Sequence, residues 1–146
     1  MPTRFASIAA ALFSLAVAAS SQAANYTDWW WVGLAQSGHG VNIGQQGNTV
    51  FASWFTYDTQ GNGMWVVFSG TLDAPGKVVS GKLLRMTGPP LGTIFDTSKV
   101  IQTPVGQGKL TFADMHRATF EWSIDALSGS LALVRGRGDR GESGQP

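Results

Sequence analysis

The chain has no cysteine, which excludes disulfides, thiolate nucleophiles and cysteine-ligated zinc. Its two histidines, His39 and His116, lie far apart in sequence and make no metal motif, so no metal is expected. Charge is scarce: 13% of residues are Asp, Glu, Lys or Arg, and the net charge is +1. Nucleic-acid binding needs a basic excess to neutralise phosphates, so no such partner is expected. No window sustains a helical apolar period, which argues against any long helix. Phosphate loops and dinucleotide fingerprints are missing too, and no cofactor is expected.

What is present is apolar and well punctuated. Hydrophobic residues make up 43% of the 146, enough to pack one domain. Residues 1–24 read as a secretory signal peptide, with Arg4 as its positive region and Ile8 to Ala19 as its apolar run. Small residues at Ser21 and Ala23 predict cleavage after Ala23, with Ala24 as the alternative. That apolar run is shorter than the roughly 20 residues a spanning helix needs, and no later segment is long enough. The expectation is therefore a secreted or periplasmic protein with no membrane span in its mature form. Residues 136–146 carry Gly, Arg, Asp and Ser with nothing to bury, and are expected to form a disordered tail. That leaves 25–135 as a single domain.

Within it, short runs rich in Val, Ile, Phe, Trp and Thr alternate with Gly, Asn, Asp and Pro. The predicted strands are Trp29–Leu34, Gly40–Gln45, Thr49–Tyr57, Met64–Leu72, Val78–Met86, Lys109–Phe112, Ala118–Ile124 and Ser130–Val134. Gln46-Gly47-Asn48 reads as a hairpin turn, with Gly47 or Asn48 available for positive φ. Asp58 to Gly63 and Asp73 to Gly76 read as two more. Thr87 to Pro104 has three prolines and reads as a long excursion. The fold class expected is all-β: an antiparallel up-and-down meander of about eight strands in a small closed barrel, with a two-sheet sandwich as the alternative. In Thr49–Tyr57, Val50, Ala52 and Trp54 point one way while Phe51, Phe55 and Tyr57 point the other. Outer aromatics on a barrel must then meet a loop, another layer or a partner.

The stretch Trp29 to Trp65 holds five of the six tryptophans. Its residues Trp30-Trp31, Gln36 to Ile43, Gln46-Gly47-Asn48, Phe51 to Asp58, Gly61 and Trp65 resemble an uncharacterised module of exported bacterial proteins. That module follows the pattern W-N-P-x-x-S-G-x-G-x-N-x-x-Q-G-x-x-x-F-x-x-W-F-T-Y-D-x-x-G-x-P-x-W. Gly81-Lys82-Leu83, Met86 to Pro89, Val105-Gly106, Leu110 to Phe112 and Ala118 to Phe120 match its later part, so the likeness runs over about Trp29 to Arg135. Two departures stand out: Val32 to Ala35 replaces Asn-Pro, and Gly63-Met64 replaces Pro before Trp65. The module occurs alone, in tandem or after an exported enzyme domain, which implies an accessory or binding role rather than catalysis.

Three functions compete on the residues themselves. The first is a non-catalytic binding module that uses an aromatic-rich surface or the barrel mouth, for a glycan or another small amphipathic molecule. Flat rings beside amides supply the stacking and oriented hydrogen bonds such ligands need. The candidate ligand-binding residues are Trp30, Trp31, His39, Asn42, Trp54, Tyr57 and Trp65. A regular strand puts Asn42 and Gln45 on opposite faces, which works against a site using both. The second function is a protein-interaction or inhibitor module that accompanies an exported enzyme. The third is a hydrolase using Ser37 and His39, which would share a face if both lay on a strand. No nucleophile elbow or oxyanion signature accompanies that pair, so no catalytic residue is assigned. Asp58, Asp73, Asp96, Asp114 and Asp125 all fall at turns, where Asp ordinarily caps the backbone rather than forming a catalytic pair.

Overall fold

The structure is a computed structural model describing residues 24–136. The signal segment and its cleavage site after Ala23 begin outside the described residues, and so does the tail from residue 137. The elements are β1 (Asp28–Trp31), β2 (Gly40–Gln46), β3 (Thr49–Tyr57), β4 (Gly63–Thr71), β5 (Val78–Thr87), β6 (Ile101–Phe112), β7 (Arg117–Ile124) and β8 (Leu127–Arg135). Each strand pairs antiparallel with the next, and β8 returns to pair with β1, closing an eight-stranded meander barrel. Besides the strands, the described residues form two short 3-10 turns, Leu34–Gln36 and Thr97–Lys99. No helix among the described residues is long and apolar enough to cross a membrane.

Strand alternation decides what fills the barrel. Trp30, Val41, Ile43, Val50, Ala52, Val66, Phe68, Val79, Leu83, Leu110, Phe120 and Leu133 all point inward and are buried. The Phe68 and Phe120 rings stack across the lumen at 5.9 Å. Inward glycines make room for these rings: a Cβ on Gly108 would meet Leu83, Phe120 and Phe68 at 3.1–3.2 Å. Between β4 and β5 the wall turns sharply. A Cβ on Gly70 would collide with the Ser80 carbonyl, and one on Gly81 with the Ser69 carbonyl.

The turns follow from their residues. Gly47 alone supplies the positive φ (56°) of the β2–β3 hairpin. Asp58, Asp73 and Asp114 each accept backbone N–H groups of the turn they open: Gln60 and Asn62, Lys77 and Val78, His116 and Arg117.

One expectation needs correction. The long excursion ends at Val100, not Pro104, and β6 begins at Ile101 rather than Lys109. Pro104 and the glycines at 106 and 108 read as breakers, yet they lie inside the strand. Leu83 pairs with Gly106 and Leu84 with Pro104, so Val105 forms a β-bulge there. Proline is tolerated because it precedes the ladder of β6 with β7, which begins at Gly106. Gly136 is held against the barrel, where its N–H donates to the Trp29 carbonyl at 2.6 Å.

The β1–β8 seam is short, with ladder partners only at Trp30↔Arg135 and Trp31↔Val134. Arg135 reinforces it. Its Nε donates to Asp28 Oδ2 at 2.9 Å and its Nη2 to the Thr27 carbonyl at 2.8 Å, while the guanidinium lies 5.8 Å from the Trp30 ring centroid.

Candidate functional site

The two ends of the barrel differ. One is plugged by Tyr26, whose ring stacks on Phe112 at 3.6 Å. The Tyr26 hydroxyl donates to the Gly76 carbonyl at 3.1 Å, and its N–H donates to Gln45 Oε1 at 2.9 Å. Burial, aided by Asp73, raises the Tyr26 pKa above the ordinary phenol value. Trp30 lies beneath and donates its indole N–H to the Tyr26 carbonyl at 3.0 Å. Polar groups at this end find partners within the chain.

The other end is open. A cavity of about 590 Å³ descends from the β3–β4 and β7–β8 turns to a floor of Trp54 and Trp122, walled by Met64, Ile124 and Leu131. Trp54 packs edge-on against Phe120 at 5.3 Å and lies tilted against Trp122 at 5.1 Å. Trp122 has room because Gly129 lies opposite it on β8; a Cβ there would come within 2.7 Å of the ring. Arg85 completes the floor. Trp54 pairs with Val66 and Val66 with Arg85, so Trp54 and Arg85 face inward at one level, two strands apart.

Three polar atoms of this floor are buried without a hydrogen-bond partner: Trp54 Nε1, Trp122 Nε1 and Arg85 Nε. Buried donors are nearly always satisfied, so three at one place in one cavity require an explanation. Arg85 forms no ion pair among the described residues. Asp58 and Asp125 stand at the rim. The Asp58 carboxylate is engaged by Asn62 and Gln60, and these bonds, led by the Asn62 side chain, hold its pKa below the usual carboxylate range; Arg85 adds a small pull. Asp125 turns the β7–β8 hairpin with φ of 50°, a left-handed conformation rare outside glycine.

The candidate residues divide between this mouth and the outer wall. His39, Trp54 and Tyr57 line the mouth. Asn42 and Trp65 face outward, Asn42 between Trp29 and Ser53 on the neighbouring strands and Trp65 opposite Phe55. Trp31 also faces outward, toward His116 and Arg135 along the seam. Trp30 is 0% exposed and offers a ligand no surface. The sequence reading missed Arg85 and Trp122 as site residues. A charged residue on the inward parity of Val79, Gly81 and Leu83 was the available signal for Arg85.

Outside, β1 to β4 carry Trp29, Phe51, Phe55, Tyr57 and Trp65, each between 42% and 58% exposed. Trp29 and Phe55 lie 6.1 Å apart. The excursion reaches over part of this wall, bringing Pro89, Phe95 and Val100 to a groove with Phe51 and Trp65. The opposite wall, on β6 and β7, is polar and includes a Lys109–Glu121 ion pair of 2.6 Å.

Ser37 and His39 do not share a strand face. Ser37 ends the first 3-10 turn, Gly38 (φ 109°) turns the chain, and His39 Nε2 lies 3.3 Å from Gln36 Oε1. Among the described residues no three His, Asp or Glu side chains group as a metal site.

Fold and site together define a filled meander barrel with one sealed and one open end. No protein-family model matches the chain, and no curated protein matches it.

Proposed function

We propose that this is an exported, non-catalytic binding module that takes a small amphipathic ligand into the open mouth of the barrel. The observation that carries this reading is the contrast between the ends. Tyr26 plugs one end with every named polar group satisfied, while the other holds a cavity of about 590 Å³ with a polar floor and apolar walls. Pockets of about 300–1,000 Å³ with mostly apolar walls and a few convergent polar groups are typical ligand sites. Export rests on the signal-peptide pattern of residues 1–24 and on the resemblance to exported bacterial modules. Cleavage after Ala23 would keep the Ala24 carbonyl, which accepts from Gln45 Nε2 at 2.9 Å beside the plug.

Titration of the mature chain with the neutral fluorescent probe N-phenylnaphthylamine tests the site. One probe should bind per chain, Leu131→Trp should block it by filling the mouth, and Trp65→Ala on the outer wall should leave it unchanged. Binding that survives Leu131→Trp and is lost in Trp65→Ala would move the site to the outer wall.

The outer wall favours a second reading, a protein-interaction module. Five half-exposed aromatics on β1, β3 and β4 are the type of surface that marks protein contacts. A stoichiometric partner retained by the wild type and lost in Trp65→Ser would support it.

A further inference from the structure

The chemistry of the mouth floor specifies more than size and greasiness. An indole N–H only donates, and a guanidinium carries donors alone and stays protonated in proteins. The polar atoms buried at the floor are therefore all donors: Trp54 Nε1, Trp122 Nε1 and Arg85 Nε, none of them with a partner among the described residues. Trp54 is 4% exposed, so its N–H is not simply turned to bulk water. Leaving a partly buried cation unpaired is costly, and an acceptor that carries negative charge removes that cost most effectively.

We propose that the barrel mouth binds the carboxylate head of an amphipathic acid. The head meets the Arg85 guanidinium at the floor, over the two indole rings, and the apolar body lies along Met64, Ile124 and Leu131. This rests on the mouth being the ligand site. The rim supports a single negative charge rather than a dianion. Asp58 and Asp125 both line the cavity above the floor. Their field opposes a doubly charged phosphate more than a carboxylate, because the repulsion scales with ligand charge. The Asp58 oxygens are already occupied by Asn62 and Gln60, so they do not compete for Arg85 at hydrogen-bond distance. The Trp54–Val66–Arg85 register holds Trp54 and Arg85 at one level on the two strands that flank β4, so the guanidinium is set beside the indole by the sheet itself.

Displacement of bound N-phenylnaphthylamine by decanoate and by its neutral isostere decanamide, at neutral pH, tests this. Decanoate should displace the probe at a concentration about tenfold lower than decanamide, as expected for one charge-assisted contact in a partly desolvated site. Arg85→Gln should bring decanoate down to the level of decanamide. Arg85→Lys, which keeps the charge without the planar fork, should retain part of the preference. Trp65→Ala should alter neither. Equal displacement by acid and amide in the wild type, or a preference for the acid that survives Arg85→Gln with an unchanged thermal midpoint, would overturn the proposal while leaving the mouth as a ligand site. Failure of the neutral probe to bind at all would instead overturn the mouth itself, and the acid proposal with it.

Discussion

Gly129→Ala is the most direct perturbation of how Trp122 is seated at the floor of the mouth. The added Cβ would stand 2.7 Å from Trp122 Cζ2, 2.9 Å from Cε2 and 3.1 Å from Nε1. Carbon atoms rest at about 3.5 Å or more, so the ring must move by roughly 0.8 Å. It cannot move sideways, because Trp54 stands 5.1 Å away and is itself set against Phe120. The ring's remaining path is upward, into the cavity. Overpacking of this kind costs about 1–3 kcal/mol, which for a domain of this size lowers the thermal midpoint by about 4 °C per kcal/mol. Urea unfolding followed by tryptophan fluorescence measures the first effect, and probe titration the second; probe affinity should fall as the indole occupies the mouth. Gly44→Thr is the matched control. A Cβ at Gly44 meets nothing within 4 Å and its backbone φ is ordinary, so that change should be neutral or stabilise by up to about 1 kcal/mol through strand propensity. A Gly129→Ala protein with wild-type stability and wild-type probe affinity would refute the account of how Trp122 is seated.

Four further outcomes follow from the same contacts. Arg135→Lys removes the planar fork that joins Asp28 to the Thr27 carbonyl across a two-pair seam, and should lower unfolding stability by about 1–2 kcal/mol; a urea midpoint equal to wild type would show that the seam does not depend on it. Tyr26→Ala opens the plugged end and should cost about 3–5 kcal/mol, measured by the same unfolding curve, because a stacked ring against Phe112 is lost and no neighbour replaces it. Edman sequencing of the exported protein should begin at Ala24, which keeps the carbonyl held by Gln45; a start at Asn25 would show that this bond is dispensable. The thermal midpoint should vary with pH in a defined way. Asp28, Asp58, Asp73, Asp96 and Asp114 all have folded-state pKa values below the ordinary carboxylate, so below about pH 4 the unfolded chain takes up protons that the folded chain does not. Their stabilisation is complete above that pH and is lost as the pH falls through the folded values. Tyr26 acts at the other extreme: its raised value gives stability that is full below about pH 10 and is lost as the pH rises through it. A midpoint that dropped between pH 7 and pH 5 would contradict this assignment.

Much of the barrel was legible in the chain because strand alternation and turn chemistry are local. Thr49–Tyr57 has the predicted bounds, since Gly47 and Asp58 punctuate both ends with residues that the turns demand. The aspartates could be assigned to turns on the same local ground. The missed half of β6 marks where local reasoning stops. Pro104, Gly106 and Gly108 look like breakers, but their reasons lie in other strands. A Cβ at Gly106 would overlap the Ser123 carbonyl, and Gly108 faces the Phe68 and Phe120 rings.

The sequence by itself determined that this is a small all-β domain with an aromatic-rich first half and turns held by Asp and Gly. Alternation even determined that Trp30 and Trp31 face opposite ways. Only the tertiary structure decided which of them is inside, which end of the barrel is sealed, and that Arg85 lines one cavity with Trp54 and Trp122. The physical reason is that a two-residue period assigns a side chain to a face but says nothing of its height along the barrel or its neighbours around the ring. Those depend on the stagger between strands, which is established only when β8 returns to β1 and the sheet closes.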